Sequence, residues 1–374
     1  MSCQKLSRQS LHLVLSEGRG LYSLRHMDVS KLFYPSAAEA LEAKAKAKMK
    51  KNGTEKIGSL SCLPRPSIHY QPYTPAVSNP YSSISALALF GESKNKILCS
   101  DVAGNASIYN TELHSLIAIP KLNSPKEPNS VAVSIPDATT NGRSDFGNHT
   151  DRLYIMDMNP TRSYCFEVLS YDPVGSWCTD PLPQPPFLKE PACEAPLQAH
   201  FTVVDSIKIC VATTKATYCF DTVTREWNKV GDWVLPFIAE YAPELGLWLG
   251  LSSDGGPYDL CTLDNLSTAV GSSPPVVQHI GMEFELPDNW WQVTCNLVNL
   301  GSQRFCIARS FMPLHELTNS MNTQMDERTH ALRKDTDSEI STSTQRWYSV
   351  LHTSTSTCTF VSLHHEHHPL IQTR

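Results

Sequence analysis

The sequence predicts a closed all-β fold built from repeated groups of strands, and three observations support this prediction. Short runs of β-branched and aromatic residues, for example 96–102, 165–169 and 207–213, alternate with clusters of Gly, Asn, Asp and Pro. A pattern of aromatic, acidic and tryptophan residues recurs along the chain. Strong helix-forming composition is almost confined to residues 36–51.

Composition limits the class of protein. The chain has 374 residues, of which 41% are hydrophobic and 18% charged, which predicts a folded core and argues against general disorder. The formal net charge of −6 gives no overall attraction to phosphate backbones, so nucleic-acid binding is not expected. No window approaches the roughly 20 apolar residues of a membrane span, and the apolar piece at 11–15 is too short for a secretory core. We therefore expect a soluble monomer, cytoplasmic or nuclear, with no membrane contact.

Residues 1–83 are predicted to form an N-terminal region outside the main body. A strand hairpin is expected at 12–27 and a short basic helix at 36–51. The apolar face of this helix is weak, which favours a solvated position over contact with a membrane or nucleic acid. The stretch 53–83 is rich in Pro, Ser and Tyr and predicts an irregular arm.

Residues 84–374 are predicted to form the main body, with polar inserts near 123–150 and 317–345. The second insert lacks periodicity and is expected to be a mobile loop. Strands near 350–363 are predicted to complete a blade with the N-terminal hairpin. Such a closure would leave no free sheet edge.

The recurring pattern is clearest in two segments, 165–183 and 217–236. Each carries an aromatic residue, an aspartate directly after it, and a tryptophan six or seven positions after the aromatic: Tyr171, Asp172 and Trp177, then Phe220, Asp221 and Trp227. The two aromatics are 49 positions apart (220 − 171), within the range of propeller repeats. An aspartate can start a turn by bonding the backbone, and a tryptophan can pack between neighbouring blades. These segments predict a β-propeller.

Two weaker copies flank this pair. Residues 107–120 have Tyr109-Asn110 for the aromatic and aspartate and Leu116 for the tryptophan. Residues 247–264 contain a double glycine, Gly255-Gly256. Together with the other hairpin candidates, these copies predict roughly six or seven blades.

The repeats resemble those of kelch and F-box-associated propellers of plants, particularly a family of grass proteins. The resemblance covers about residues 85–267 and is carried by the units around Trp177 and Trp227. It implies a kelch-like, non-enzymatic scaffold whose loops bind an unknown protein partner. By analogy, a substrate-receptor subunit of a ubiquitin ligase is an alternative, although no F-box is visible. A two-sheet sandwich followed by a second domain would explain the strands but not the tryptophan spacing.

The sequence predicts no catalytic residue, no cofactor and no metal site. The segment His364–His368 (HHEHH) is rich in a metal-binding residue, but no cysteine or aspartate lies near it to complete a tetrahedral site. Nucleophile-elbow, P-loop and HExxH motifs are absent. A metal- or sugar-binding propeller enzyme therefore stays a second alternative, with Trp290-Trp291 as a conceivable stacking surface.

The twelve cysteines do not predict a disulfide scaffold. No CxxC pair occurs, and most cysteines lie inside apolar, strand-like runs, as small buried hydrophobic residues do. A cytosolic chain keeps its thiols reduced. We therefore expect free, buried cysteines.

Overall fold

Six sheets account for almost all of the regular structure in the described residues. The computed structural model describes residues 10–18, 21–28, 38–39, 42, 64–72, 84–91, 94–101, 103–126, 130–136, 151–157, 164–172, 175–189, 200–252, 259–280, 290–301, 304–313, 355–363 and 369–373. Within these residues there are 23 strands, β1 to β23, and one short 3-10 helix, Pro186–Lys189.

Five sheets have four strands each and are named blades 1 to 5 in chain order. Blade 1 contains β4 (Ile84–Phe90), β5 (Lys96–Asp101), β6 (Ala106–Asn110) and β7 (Ser115–Ile119). Blade 2 contains β8 (Val131–Pro136), β9 (Asp151–Met156), β10 (Phe166–Tyr171) and β11 (Trp177–Pro181). Blade 3 contains β12 (Phe201–Val204), β13 (Lys208–Ala212), β14 (Thr217–Asp221) and β15 (Glu226–Gly231).

Blade 4 contains β16 (Ala239–Ala242), β17 (Leu247–Ser252), β18 (Asp259–Asp264) and β19 (Val276–His279). Blade 5 contains β20 (Trp290–Gly301), β21 (Arg304–Pro313), β22 (Thr355–Leu363) and β23 (Pro369–Thr373). The sixth sheet has three strands, β1 (Ser10–Gly18), β2 (Leu21–Asp28) and β3 (Pro66–Tyr70). Blades 1 to 4 belong to one compact unit of the chain, and blade 5 belongs to another.

Each blade is a meander in which strands that follow one another in sequence pair antiparallel. The prediction of an all-β propeller is therefore confirmed. The predicted count is not: five four-stranded blades, rather than six or seven, lie within the described residues. The three-stranded sheet is additional to these five.

The hydrophobic core lies between consecutive blades. Three clusters of buried side chains fill the spaces between blades 1 and 2, blades 2 and 3, and blades 3 and 4. In β9, Leu153 and Ile155 join the first cluster, whereas Tyr154 and Met156 join the second. Because successive side chains of a strand point to opposite faces, a strand covered on both faces must be apolar throughout.

Two strands occupy segments that were predicted to be irregular. β8 lies inside the polar insert at 123–150, and its Val131, Val133 and Ile135 are buried against blade 3. β3 lies inside the arm at 53–83 and begins with a proline, as strands at a sheet edge commonly do. Both strands are short and flanked by polar sequence, so the composition of these segments does not predict them.

Among the strands that the structure describes, those near the two termini belong to different sheets. β1 and β2 pair within the three-stranded sheet, and β22 lies between β21 and β23. Within the described residues β22 has β21 and β23 as its partners. The closure of a blade by the N-terminal strand and 350–363 stays a prediction.

Other predicted segments are described only in part. Ala38, Glu39 and Glu42 of the predicted helix at 36–51 are helical and exposed. The remainder of that segment and the predicted loop at 317–345 lie outside the described residues. Among the helical residues that the structure describes, none belongs to a helix long and apolar enough to cross a membrane.

We predict that Gly250→Ala lowers the free energy of unfolding by about 1–3 kcal/mol through overpacking. A Cβ at position 250 would overlap the ring of Phe237, which is fully buried between blades 3 and 4, and would also come too close to the backbone carbonyl oxygen of Ile238. Urea denaturation followed by tryptophan fluorescence measures the change. In a Phe237→Ala background the same substitution should cost less, because only the overlap with the Ile238 carbonyl then remains. An equal cost in both backgrounds would contradict the prediction.

Candidate functional site

The recurring motif forms the hairpin between the third and fourth strands of a blade. Tyr171 and Trp177 are cross-strand partners with ring centroids 5.2 Å apart. Phe220 and Trp227 are cross-strand partners at 5.1 Å. In blade 1, Tyr109 faces Leu116 in the same register. The motif thus occupies one structural position in three blades. We call the connections between the third and fourth strands of blades 1 to 4 the outer turns: residues 111–114, 172–176, 222–225 and 265–275.

Asx side chains fix the conformation of these turns. Asp221 Oδ1 accepts the backbone N–H groups of Val223 and Thr224 at 2.9 and 3.1 Å. Asn110 Oδ1 accepts the two equivalent N–H groups in blade 1, both at 3.0 Å. These bonds give each turn a defined backbone shape that does not depend on a ligand.

The turn in blade 2 is one residue shorter. Asp172 donates its backbone N–H to the Ser176 carbonyl at 2.7 Å, and its backbone carbonyl accepts the Gly175 N–H at 2.9 Å. Gly175 has φ +97° there, whereas Arg225 closes the longer turn of blade 3 at φ +59°. This missing residue explains why the aromatic-to-tryptophan spacing is six in blade 2 and seven in blade 3.

A threonine joins each of two outer turns to the neighbouring turn of its blade. Thr222 donates its N–H (3.0 Å) and its hydroxyl (2.7 Å) to the carbonyl of Ile207, just before β13. Thr111 makes the same two bonds to Asn95, just before β5, at 2.8 and 3.0 Å. Sequence reasoning missed this feature, although the shared order aromatic, Asx, Thr was available as a signal.

The two motif tryptophans lie at contacts between blades. Trp177 of blade 2 meets Phe90 of blade 1 edge-on, with centroids 5.8 Å apart. Trp227 of blade 3 lies 5.6 Å from Phe166 of blade 2, and its Nε1 donates to the Pro183 carbonyl at 2.9 Å. Each tryptophan therefore ties the hairpin that carries an outer turn to the preceding blade.

A third tryptophan has a similar role but a different position. Trp248 is the cross-strand partner of Tyr241 between β16 and β17, at 4.7 Å, and its Nε1 donates to the Val203 carbonyl of blade 3 at 3.4 Å. Sequence analysis did not find this pair, because it lies on the first two strands of its blade, whereas the recurring motif lies on the third and fourth. Gly255 and Gly256, predicted to mark this blade, lie between β17 and β18, outside the described residues.

The outer turns expose apolar side chains. Leu113, Val223 and Val270 have 74%, 65% and 75% of their surface exposed. They are the three most exposed large hydrophobic side chains in the described part of the chain, and each lies in an outer turn of a different blade. Each of these side chains is available for contact with another macromolecule from a turn of defined shape.

A buried ion pair joins blades 1 and 2. The connection after β7 carries Lys126, whose ammonium contacts Glu167 in β10; neither side chain is exposed. Lys126 also donates to the carbonyls of Ser124 (3.2 Å) and Tyr164 (3.0 Å). Glu167 Oε2 accepts the backbone N–H (3.0 Å) and side-chain amide (2.7 Å) of Asn123. Since the pair is sealed from solvent and its groups are bonded to protein, we assign it a structural role.

The described residues do not assemble a reactive centre. No three His, Cys, Asp or Glu side chains converge as metal ligands in the part of the chain that the structure describes. Burial raises the pKa of the Cys99 thiol to about 12 and that of Cys165 to about 11, so both are protonated and weakly nucleophilic near neutral pH. The segment His364–His368 lies outside the described residues, as do the side chains of Trp290 and Trp291.

Comparisons with known proteins show a family and give no activity. The model of the family described as a protein of unknown function, DUF1668, matches residues 8–355. No curated protein matches the sequence.

Two solved structures illustrate the structural likeness. The β-propeller domain of Cps50 (Swd1) from Myceliophteria thermophila is 10% identical, with a TM-score of 0.37 and coverage of 80% of this chain and 82% of that one. A structural-genomics protein of unknown function from Bacteroides thetaiotaomicron is 11% identical, with a TM-score of 0.32 and coverage of 64% and 53%. At these TM-scores the likenesses add nothing to the strand topology described above.

We predict that Thr222→Val lowers the free energy of unfolding by about 1 kcal/mol, because it removes the hydroxyl that bonds the Ile207 carbonyl. Thr222→Ser keeps the hydroxyl and should cost clearly less. Urea titration of the two variants measures the difference. Equal destabilisation by valine and serine would show that the hydroxyl bond contributes nothing.

We predict that Lys126→Met destabilises the protein by about 3–5 kcal/mol, because it leaves the Glu167 carboxylate buried without its cation. The double variant Lys126→Met, Glu167→Gln should regain most of that loss, since neither charge then remains. Denaturant midpoints of the single and double variants provide the test. A double variant no more stable than Lys126→Met would overturn this account.

Proposed function

The chain belongs to the DUF1668 family of proteins of unknown function, and from its fold and its outer turns we propose that it is a non-enzymatic, kelch-like scaffold that binds a protein partner. The observation that carries the proposal is the position of Leu113, Val223 and Val270, one exposed apolar side chain on an outer turn of each of three blades. Function in propellers resides in loops held by a rigid framework. The outer turns are loops of this kind, since hydrogen bonds fix their backbone and strands flank them.

The antiparallel meander supports a shared binding face. In a four-stranded meander the connections between strands one and two and between strands three and four leave the same end of the blade. The bonds of Thr111 to Asn95 and of Thr222 to Ile207 join these two connections directly. Blades 1 and 3 therefore each present one cross-linked pair of turns, which limits the entropy lost when a partner binds.

The chemistry around the exposed side chains fits a protein partner. Leu113 lies between Glu112 and His114, and Val223 is followed by Thr224 and Arg225. An apolar centre with a polar rim of both charge signs is the usual composition of a protein interface. A uniformly basic rim, which phosphate backbones require, does not occur at these two turns.

Further features belong to the same proposal. We propose that the protein is a cytoplasmic or nuclear monomer, that its propeller has six or seven blades of kelch type, and that it is akin to the plant proteins that its repeats resemble. The three-stranded sheet β1–β3 is the candidate for a sixth blade. No cofactor, membrane or nucleic acid has a part in this proposal.

The test is affinity purification of the tagged full-length chain with mass spectrometry of its partners. We predict that the triple variant Leu113→Ser, Val223→Ser, Val270→Ser loses about tenfold or more of the partner recovered by the wild type, equivalent to about 1.4 kcal/mol of binding free energy. The variant should unfold at nearly the same urea concentration, because surface substitutions change stability little.

Ile117→Ser is the matched control, since Ile117 is exposed on the outermost strand of blade 1 but is not in a turn. It should leave recovery unchanged. Equal recovery with the triple variant would refute the assignment of the outer turns. A ubiquitin-ligase adaptor among the partners would identify a substrate receptor, and a stoichiometric metal without any partner would favour an enzyme.

A further inference from the structure

Two cysteines face each other in the middle of blade 3. Cys210 of β13 and Cys219 of β14 are cross-strand partners. Both are free thiols, 2% and 4% exposed, and Cys210 Sγ donates to Cys219 Sγ at 3.0 Å. They lie in the apolar layer between blades 3 and 4, with Val204, Leu263 and other members of that cluster.

The backbone already has the spacing of a disulfide. Directly opposed residues of an antiparallel pair have Cα atoms about 4.5 or 5.5 Å apart, within the roughly 4.4–6.8 Å that a disulfide spans. The two sulfur atoms need to approach by only about 1 Å to reach the S–S bond length. Side-chain rotation can supply that movement without a change of strand register.

We propose that Cys210 and Cys219 are a redox-active dithiol that closes to a cross-strand disulfide within blade 3 when the protein meets a peroxide. This inference goes beyond the proposed function and does not depend on it. The oxidation state of the pair then determines whether β13 and β14 are covalently linked.

The reaction is a two-electron oxidation by hydrogen peroxide. One cysteine, as its thiolate, attacks a peroxide oxygen; the O–O bond breaks, water is released and a sulfenic acid forms. The second thiol attacks that sulfur, the S–S bond forms and a second water leaves, carrying the remaining thiol hydrogen. Two thiols and one peroxide thus give one disulfide and two waters.

The surroundings of the two thiols control the rate at which they are oxidised. The hydrogen bond to Cys219 and burial raise the pKa of the Cys210 thiol well above its usual range, so the closed blade holds little thiolate. Oxidation therefore requires the contact between blades 3 and 4 to open. Once formed, the disulfide is an apolar group in an apolar layer and is equally shielded from reductants.

Two other buried cysteines, Cys261 and Cys99, have no cysteine as a cross-strand partner. Cys261 lies in the same layer, but its Sγ contacts His279 Nδ1 at 3.2 Å. Cys99 of blade 1 has Leu87 and Ser107 as its cross-strand partners, so no thiol stands opposite it. Among the cysteines whose side chains the structure describes, Cys210 and Cys219 are the pair that stand opposite each other on neighbouring strands.

Peptide mapping of the full-length protein tests the proposal. The protein is treated with hydrogen peroxide in the folded state, its free thiols are alkylated in denaturant, and it is digested with trypsin. Cleavage after Lys208, Lys215 and Arg225 places Cys210 on 209–215 and Cys219 on 216–225, so the disulfide appears as one linked pair of peptides. We expect this pair to accumulate, to disappear with dithiothreitol, and to form at least about tenfold faster in mild urea, which opens the blade contact.

Cys99→Ser is the matched control and should give the same linked pair, whereas Cys210→Ser should give none. If Cys210→Ser does not fold, the wild-type map alone decides the question. Peroxide-treated wild type in which both cysteines remain alkylated, or in which either is linked to Cys261 instead, would overturn the proposal. Limited proteolysis at Lys215 gives a second measure, since the cross-link should slow cleavage in mild urea.

Discussion

The structure depends on packing between blades. Every middle strand of blades 2 and 3 is covered on both faces, so its alternate side chains enter two different clusters: those of β13, for example, divide between Ile209 and Val211 on one side and Cys210 and Ala212 on the other. No blade can bury its apolar faces alone. The strand sequences, the burial of the cysteines and the position of the tryptophans all follow from this constraint.

The outermost strands and their turns are less covered by neighbouring blades than the middle strands. In β7 three of five side chains are exposed and in β15 three of six, so packing constrains the sequence less there than in the middle strands. The conformation of the hairpin is nevertheless fixed. The aromatic pair packs across its two strands, and the Asx side chain and the threonine hydrogen-bond its turn. This division between a fixed hairpin and a free turn surface is the physical basis for placing an interaction surface on the outer turns.

Two pairs of polar groups inside the packed layers of the described residues are compensated by their own partners. The Lys126–Glu167 pair brings opposite charges together with bonds to Asn123 and Ser124. The thiols of Cys210 and Cys219 bond each other. A buried polar group without a partner is costly, so such pairs have to be formed together. The first pair links blades 1 and 2, and the second links strands within blade 3.

The sequence by itself determined the all-β class and the hairpins around Trp177 and Trp227, because turn chemistry and strand alternation are local. It did not determine the number of blades, the presence of β8 inside a polar stretch, or the meeting of Lys126 with Glu167. Only the tertiary structure decided these features, together with the pairing of Cys210 and Cys219 and the exposure of the outer turns. They depend on strand register and on which blade covers each face, and residues far apart in sequence carry no local signal of either.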